Sequence, residues 1–499
     1  MDFLREAARA TPERPALDDG SRVWSYGELD REVGRWARGL TGSGMTPGRR
    51  VAVLLPEGPE QVLALHAVSR AGCVLAPLGV RLTPPELGLA LGALDPVGVL
   101  VGEGTREVAR EAASLAGLAP ALLRVEELPG RPDRHAPGPW AGPRRSEASP
   151  SPAQEWAVLW TSGTGGRARG VALSFANFRA SAAASRARLE LGPEDRWHLS
   201  LSPAHVGGLA LVTRAAFTGA TLVTRGPFSA GGFNALVDAG LVTHASLVPT
   251  MLHRALEERG GRPCPPSLRC LLVGGARADA DLVRRALAAG FHLALSYGLT
   301  EACSQVATAP PHEAREEPDL VGAPLDGVEL SVDPGGEILV RGATVALGYL
   351  GTDQPLTDQE GRVHTGDLGE LDARGRLRIT GRRVDRIVTG GVNVDPDEVE
   401  GVLRLSAGVR DVSVVGVPDL EWGEVVGAAV VRQGGAYPDA SELEALARAR
   451  LTTAKIPRRM VFVEELPRNP NGKVDRAAVR ALLRASAADA PPTPGGPVR

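Results

Sequence analysis

Lysine is almost missing from this chain. Of 56 basic residues only two are lysine, Lys455 and Lys473, and the other 54 are arginine. With 61 Gly and 40 Pro, that bias reflects genomic composition more than function, yet it spares Lys473 in the loop "PRNPNGKVDR". Cysteine is scarce as well. Cys73, Cys264, Cys270 and Cys303 fall in no paired or metal-like spacing, which excludes a disulfide framework and reads as reduced thiols in a cytoplasmic protein. A large excess of charge is absent: the net charge of −3 argues against a broad nucleic-acid footprint. No apolar run approaches the roughly 18 residues that a membrane helix needs. The N-terminal "MDFLREAARA" is charged and lacks the apolar core of a signal peptide.

What remains is ordinary globular material, 43% hydrophobic and 23% charged over 499 residues, long enough for more than one core. The first half repeats one pattern. "VAVLLP" (Val51–Pro56) precedes the helical "EQVLALHAVSRAG" and the apolar "CVLAPLG", which is strand, helix, strand in the manner of a parallel sheet with helices on its faces. Further near-continuous apolar runs, "VGVLVG", "WAVLWTSG", "RWHLSLSP", "LRCLLVGG" and "FHLALSYG", suit strands buried on both faces. After about Val328 the pattern changes to hairpins, "ELSVDPGGEILVRG" and "GELDARGRLRITG", turning at glycine-containing tetrads and triads. The fold class expected is therefore α/β: a large N-terminal domain of mainly parallel sheets flanked by helices plus a β-rich subdomain, then a small mobile α/β C-terminal domain. We place the large domain at 1–382, the small one at 383–485 and a disordered tail at 486–499, which is too poor in apolar residues to order itself. Residues 129–152 read as a surface linker.

Three stretches carry polar chemistry at strand ends. "WTSGTGGRARG" (Trp160–Gly170) leaves an apolar strand, and its small residues would expose successive backbone N–H groups to phosphate oxygens. It suits a plain glycine-rich turn equally, and no Gly-Lys-[Ser/Thr] ends it, so it is no ordinary P-loop. "SYGLTEACSQ" (Ser296–Gln305) places Tyr297, Thr300 and Glu301 at the carboxyl end of a buried strand, where open α/β sheets bind ligands. Tyr297 could stack on a base, Thr300 donate to a phosphate and Glu301 offer magnesium a hard oxygen; a polar loop with a helix cap at Thr300 is the alternative. Asp367 lies in a tight turn with Arg382 just past a strand, and a carboxylate there suits two vicinal ribose hydroxyls as well as it suits turn formation.

These pieces in this order, from "WSYGEL" to "PNGKVDR", resemble the adenylate-forming superfamily of acyl-CoA synthetases, peptide-synthetase adenylation domains and luciferases. The resemblance implies an acyl-adenylate made from a carboxylate and Mg-ATP, then transfer to coenzyme A. It matches Thr161, Ser162, Gly163 and Thr164 to the loop on the β- and γ-phosphates, and Gly274, Gly275 and Ala276 to the adenine pocket. It matches Tyr297 to the adenine stack, Thr300 to the α-phosphate contact and Glu301 to the magnesium ligand. Asp367 matches the ribose acceptor with Arg382 beside it, and Gly390 and Gly391 match the thiol tunnel. Lys473 matches the lysine that bridges carboxylate and α-phosphate, a task for a compact ammonium rather than a planar fork. The resemblance further implies that the small domain delivers this lysine and then rotates. Departures are Ala168 and Arg169 for a usual Pro-Lys, Val384 at the hinge and Val392 where Glu is frequent.

Within the superfamily, "SYGLTEACSQ" and "SPAHVGGLALVTRAAFTGATLV" look most like the o-succinylbenzoate–CoA ligases of menaquinone synthesis. That substrate has two carboxylates, so the unreactive one needs a cation or several donors when desolvated. Arg214, Ser304 and Gln305, with His205, are the candidates; for Arg214 a snorkelling helix arginine is the alternative. A CoA ligase for another aryl or fatty acid, or a catalytically silent nucleotide-binding homologue, stays open at this point. Partners expected are the acid, ATP and CoA, with no nucleic acid and no membrane insertion; a homodimer is left open.

Overall fold

The computed structural model describes residues 2–128, 151, 153–161, 169–278, 280–352, 354–382, 387–389, 392–419, 422–434, 438–451, 453–469 and 472–488. The chain forms two compact units, Met1–Thr365 with Glu370–Ile379 and Gly366–Gly369 with Thr380–Arg499. The dividing line thus passes through the strands Val363–Leu371 and Leu377–Arg382.

Two large sheets dominate the first unit. One has seven strands, with Val74–Pro77, Arg50–Leu54, Gly98–Val101 and Ala121–Arg124 as its parallel body. Glu155–Thr161 extends that body in parallel, Arg169–Ser174 turns back antiparallel, and the short strand Gly348–Tyr349 closes the edge. The other sheet has eight strands. Its parallel run is Cys270–Val273, His244–Leu247, Arg196–His198, Thr221–Val223 and Pro15–Asp18, joined on the other side of Cys270–Val273 by Leu293–Leu299. Antiparallel strands close both ends, Ser304–Ala309 and Val23–Ser25.

The apolar runs are near-continuous because each strand serves two cores. Val51 and Val53 enter the central core while Ala52 and Leu54 enter an outer one; Cys270 and Leu272 face the centre while Leu271 and Val273 face a third cluster. Successive side chains leave a strand on opposite faces, so burial on both faces demands hydrophobicity at every position. The β-rich subdomain is a four-stranded sheet beginning with the hairpin Val328–Val332 and Glu337–Gly342. It turns at "DPGG" as the sequence suggests, Gly336 taking φ +84°.

In the second unit a long hairpin, Val409–Asp419 with Gly423–Arg432, carries Arg459–Val463 in parallel on its free side. Val412, Val414, Val426, Ala428 and Val430 face one small core, and Val415, Val417, Val425, Ala429 and Val431 another. The final helix, Arg476–Ala488, runs three residues past the start of the expected tail; 489–499 and most of the expected linker lie outside the described residues. No helix among the described residues is long and apolar enough to cross a membrane.

One buried group in the large unit makes its stability acid-sensitive. His198 is 3% exposed, its Nδ1 has no hydrogen-bond partner, and Phe233 stacks at 6.0 Å. Burial, helped by the Arg225 charge, lowers its pKa from 6.5 to about 4. The folded chain therefore resists a proton that the unfolded chain accepts, so this contribution is full above pH 6.5 and is lost as pH falls through 4. At pH 5 the loss amounts to about 2 kcal/mol. In His198→Phe, urea-unfolding midpoints measured at pH 7.5 and pH 5 should lie closer together than in the parent by about that energy. An unchanged gap would show that His198 is not a source of the acid lability.

Candidate active site

The parallel strands Cys270–Val273 and Leu293–Leu299 end on the same edge of their sheet, so whatever follows both strands gathers there. After the first comes Gly274-Gly275-Ala276. A Cβ on Gly274 would sit 3.0 Å from the Ser296 carbonyl oxygen, and Gly275 has φ +77°, a left-handed conformation that a side chain would strain. Bare backbone makes this ledge; Gly275 and Ala276 are exposed on it. Tyr297, half-buried, stands on the neighbouring strand.

Beyond Tyr297 the hairpin becomes irregular. Its register slips between Tyr297 and Gly298, and a Cβ on Gly298 would fall 2.0 Å from the Ser304 carbonyl oxygen, so only glycine fits. Thr300–Ala302 make a single 3-10 turn. Cys303 at φ +51° and Ser304 at φ +91° then occupy left-handed backbone although neither is glycine, a strain of about 1–3 kcal/mol each. Ser181 holds the strained turn by donating from Oγ to the Cys303 carbonyl at 2.7 Å. Thr300 and Glu301 are thereby presented on a tip whose shape is set by backbone.

Glu301 is fixed twice. Its backbone carbonyl accepts from Ala346 N at 2.9 Å, and its Oε1 accepts from the Tyr349 hydroxyl at 2.9 Å. The strap carrying these partners is itself fastened. Asn177, whose Oδ1 completes the capping box of the helix Phe175–Leu189 begun by Ser174, donates both amide hydrogens to it, to the carbonyls of Ala343 and Val345, each at 2.8 Å. Leu347 N and Leu350 N bond to Ala172 and Gly170 on the adjacent strand. Arg169, paired with Thr161 in that hairpin, lays its guanidinium 5.3 Å from the Tyr349 ring centre. Burial, reinforced by the Glu301 charge, holds the Tyr349 phenol above its ordinary range, so it stays a neutral donor. Thr161 is half-buried at the end of its strand; Ser162, Gly163, Thr164 and Ala168 lie outside the described residues.

Arg214 lies in the helix Val206–Thr218, whose N-cap is the exposed His205. The sequence admits a snorkelling arginine here; the structure buries it, 2% exposed, with its guanidinium 5.1 Å from the Trp197 ring. It has no ion-pair partner among the described residues, and its Nε and the neighbouring Trp197 Nε1 are buried donors without acceptors. Burial lowers its pKa only to about 10, so it is charged at neutral pH. The acidic groups acting on it are the thiols of Cys303 and Cys270, both pushed up by burial, Cys270 to about 12. An unneutralised cation in such surroundings costs several kcal/mol unless an anion joins it.

Ser304 is half-buried beside this region. Gln305 is buried; its Oε1 accepts from Ser185 Oγ at 2.7 Å and its Nε2 donates to Thr308 Oγ1 at 2.8 Å. Asp367 is half-buried on the strand Val363–Leu371, next to Gly366 at φ +71°. Arg382 ends the strand Leu377–Arg382. Gly390, Gly391 and Val384 lie outside the described residues. In the second unit Lys473 is exposed on a closed loop: its N–H donates to Asn469 Oδ1 at 3.0 Å and its carbonyl accepts from Asn469 N at 2.8 Å.

Sequence profiles of known families match this arrangement over both units: "AMP-binding enzyme" over residues 4–350 and "AMP-binding enzyme C-terminal domain" over 398–473. The chain belongs to the AMP-binding enzyme family. The first match ends on the strap that holds Glu301, and the second ends on Lys473. Among relatives in this family, 2-succinylbenzoate–CoA ligase of Geobacillus kaustophilus is 33% identical, over 97% of this chain and 98% of its own. The ligase of the same name from Bacillus pumilus is 32% identical, over 96% and 97%. Of solved structures, Bacillus subtilis o-succinylbenzoate CoA synthetase in complex with the acyl-adenylate intermediate superposes with a TM-score of 0.86 at 30% identity, covering 98% of each chain. The same synthetase with ATP and magnesium gives 0.85 at 30%, over 97% and 99%. ATP-bound MatB of Rhodopseudomonas palustris gives 0.86 at 28%, over 97% and 99%.

The residues fit a magnesium nucleotide. Gly274 and Gly275 leave bare backbone at the strand end, and Glu301 retains its Oε2 for a hard cation. No group of three or more His, Cys, Asp or Glu side chains able to hold a metal occurs among the described residues.

Sequence reasoning missed Tyr349, Asn177 and Trp197. Tyr349 lies 48 residues from Glu301, and only the aromatic in "LGYL" could have drawn notice.

Proposed function

We propose that this chain is an ATP-dependent 2-succinylbenzoate–CoA ligase. The full-length relatives bearing that name, and the related synthetase solved with its acyl-adenylate and with ATP and magnesium, support the reading. The observation that carries the substrate is Arg214, a buried cation lacking an anion. A monocarboxylic acid spends its only charge at the reacting centre; a dicarboxylic one has a second for this guanidinium.

In the first step a substrate carboxylate oxygen attacks the α-phosphorus of Mg-ATP. The new P–O bond makes the mixed anhydride as the bond to pyrophosphate breaks. Thr161, Ser162, Gly163 and Thr164, with Arg169, cradle the leaving phosphates. Gly274, Gly275, Ala276 and Tyr297 receive adenine, and Asp367 with Arg382 the ribose. Thr300 donates to the α-phosphate, Glu301 receives magnesium, and Lys473 balances charge gathering on the five-coordinate phosphorus. In the second step the coenzyme A sulfur, having lost its proton, attacks the acyl carbonyl; the C–O bond to AMP breaks and a thioester forms. Gly390 and Gly391 line the thiol's approach. Ser304 and His205 flank the acid, while Gln305, committed to Ser185 and Thr308, shapes the wall. Four unpaired buried cysteines support a reducing, cytoplasmic setting.

Pyrophosphate release tests the proposal. With ATP and CoA present, 2-succinylbenzoate should support turnover at a kcat/KM about a hundredfold or more above benzoate or octanoate. Equal use of monocarboxylic acids would overturn it.

A further inference from the structure

Glu301 meets a hydrogen-bond donor before it meets any ligand. The Tyr349 hydroxyl donates to its Oε1 at 2.9 Å, from a residue 48 positions away on a strap tied by Asn177, Ala346, Leu347 and Leu350. We propose that Tyr349 is a positioning residue for magnesium, fixing the Glu301 carboxylate so that its second oxygen is pre-aimed for the cation. This rests on the assignment of Glu301 as the magnesium ligand.

Two features make the phenol suited to that work. It donates one hydrogen bond, leaving Oε2 and the carboxylate's full negative charge for a hard cation. Its ring lies beneath the Arg169 guanidinium and its backbone belongs to the sheet edge beside Arg169–Ser174, so the hydroxyl cannot swing with the strap. Gly170 permits the close approach: a Cβ there would press on Leu350 at 2.9 Å and Val158 at 3.2 Å. A free glutamate side chain samples many rotamers that cation binding would have to freeze. Ordering it during folding removes that cost from cation binding.

The test uses the full chain and ATP binding measured calorimetrically across a magnesium series, starting in chelator. Tyr349→Phe keeps the ring under Arg169 and removes only the hydroxyl. It should raise the magnesium concentration for half-maximal enhancement of ATP affinity about tenfold, the scale expected when a group supporting a metal ligand is lost. Magnesium-free ATP affinity and the melting temperature should stay at parent values. Glu301→Gln, run in parallel, should shift the magnesium requirement at least as far. If Glu301→Gln shifts it and Tyr349→Phe does not, Tyr349 has no positioning role while the Glu301 assignment stands. If Tyr349→Phe weakens magnesium-free ATP binding by the same factor, its role is structural and the proposal fails. If Glu301→Gln leaves the requirement unchanged, the Glu301 assignment falls and this proposal with it.

Discussion

Lys473→Ala should lower acyl-adenylate formation by a hundred- to a thousandfold, about 3–4 kcal/mol of lost transition-state stabilisation. Lys455 is ion-paired with Glu398 at 2.5 Å; Lys473 is the lysine proposed for the reacting phosphorus. Its loop is built to present it. Gly472 takes φ +77°, Arg468 and Val474 pair across the turn, and the Arg468 guanidinium bonds to the Gly472 carbonyl at 3.0 Å and to Asp411 at 2.8 Å. Lys473→Arg should recover little of the rate, because a planar fork cannot substitute for a point charge among crowded oxygens. Thioester formation from supplied acyl-adenylate and coenzyme A should persist in both variants. The two half-reactions can be followed by pyrophosphate release and by thioester absorbance, and parental adenylation in Lys473→Ala would remove the residue from the mechanism.

Arg214→Met should raise the KM for 2-succinylbenzoate about a hundredfold, the 2–5 kcal/mol typical of truncating one member of a desolvated charge pair. Affinity for ATP should not move. The accompanying stability change separates a binding arginine from a structural one. In the ligand-free chain this guanidinium has no anion, so an apolar side chain of similar length relieves a desolvation cost. The melting temperature without substrate should therefore hold or rise, while the increase that parent protein shows on adding 2-succinylbenzoate should disappear. A lower ligand-free melting temperature with an unchanged KM would make Arg214 a core residue.

The parallel sheets were legible because they are written in consecutive residues. Runs such as Val51–Leu54 and Cys270–Val273 are apolar at every position for the reason found in the structure, two cores on two faces. The assignment of Gly274, Gly275 and Ala276 came from resemblance to a family; what the structure adds is that the two glycines are needed for close approach and left-handed backbone. Arg214 was only half legible. Its helix is buried at every position from Gly208 to Ala216, so no polar stripe reveals which way an arginine in its middle points. The hairpin beyond Tyr297 was read as a loop after a strand. Its shape depends on left-handed backbone at Cys303 and Ser304, residue types that do not announce such a conformation. Tyr349 was out of reach, since its partner lies far off in sequence and the strand that carries it is two residues long.

The crowding around Gly298 has an evolutionary corollary. Atoms of the main chain, which no point mutation can exchange, dictate where Thr300 and Glu301 sit, whereas the wall proposed to face the acid is made of replaceable side chains such as Arg214 and Ser304. Descendants of one ancestor could thus drift toward new acids without disturbing the backbone that presents Thr300 and Glu301.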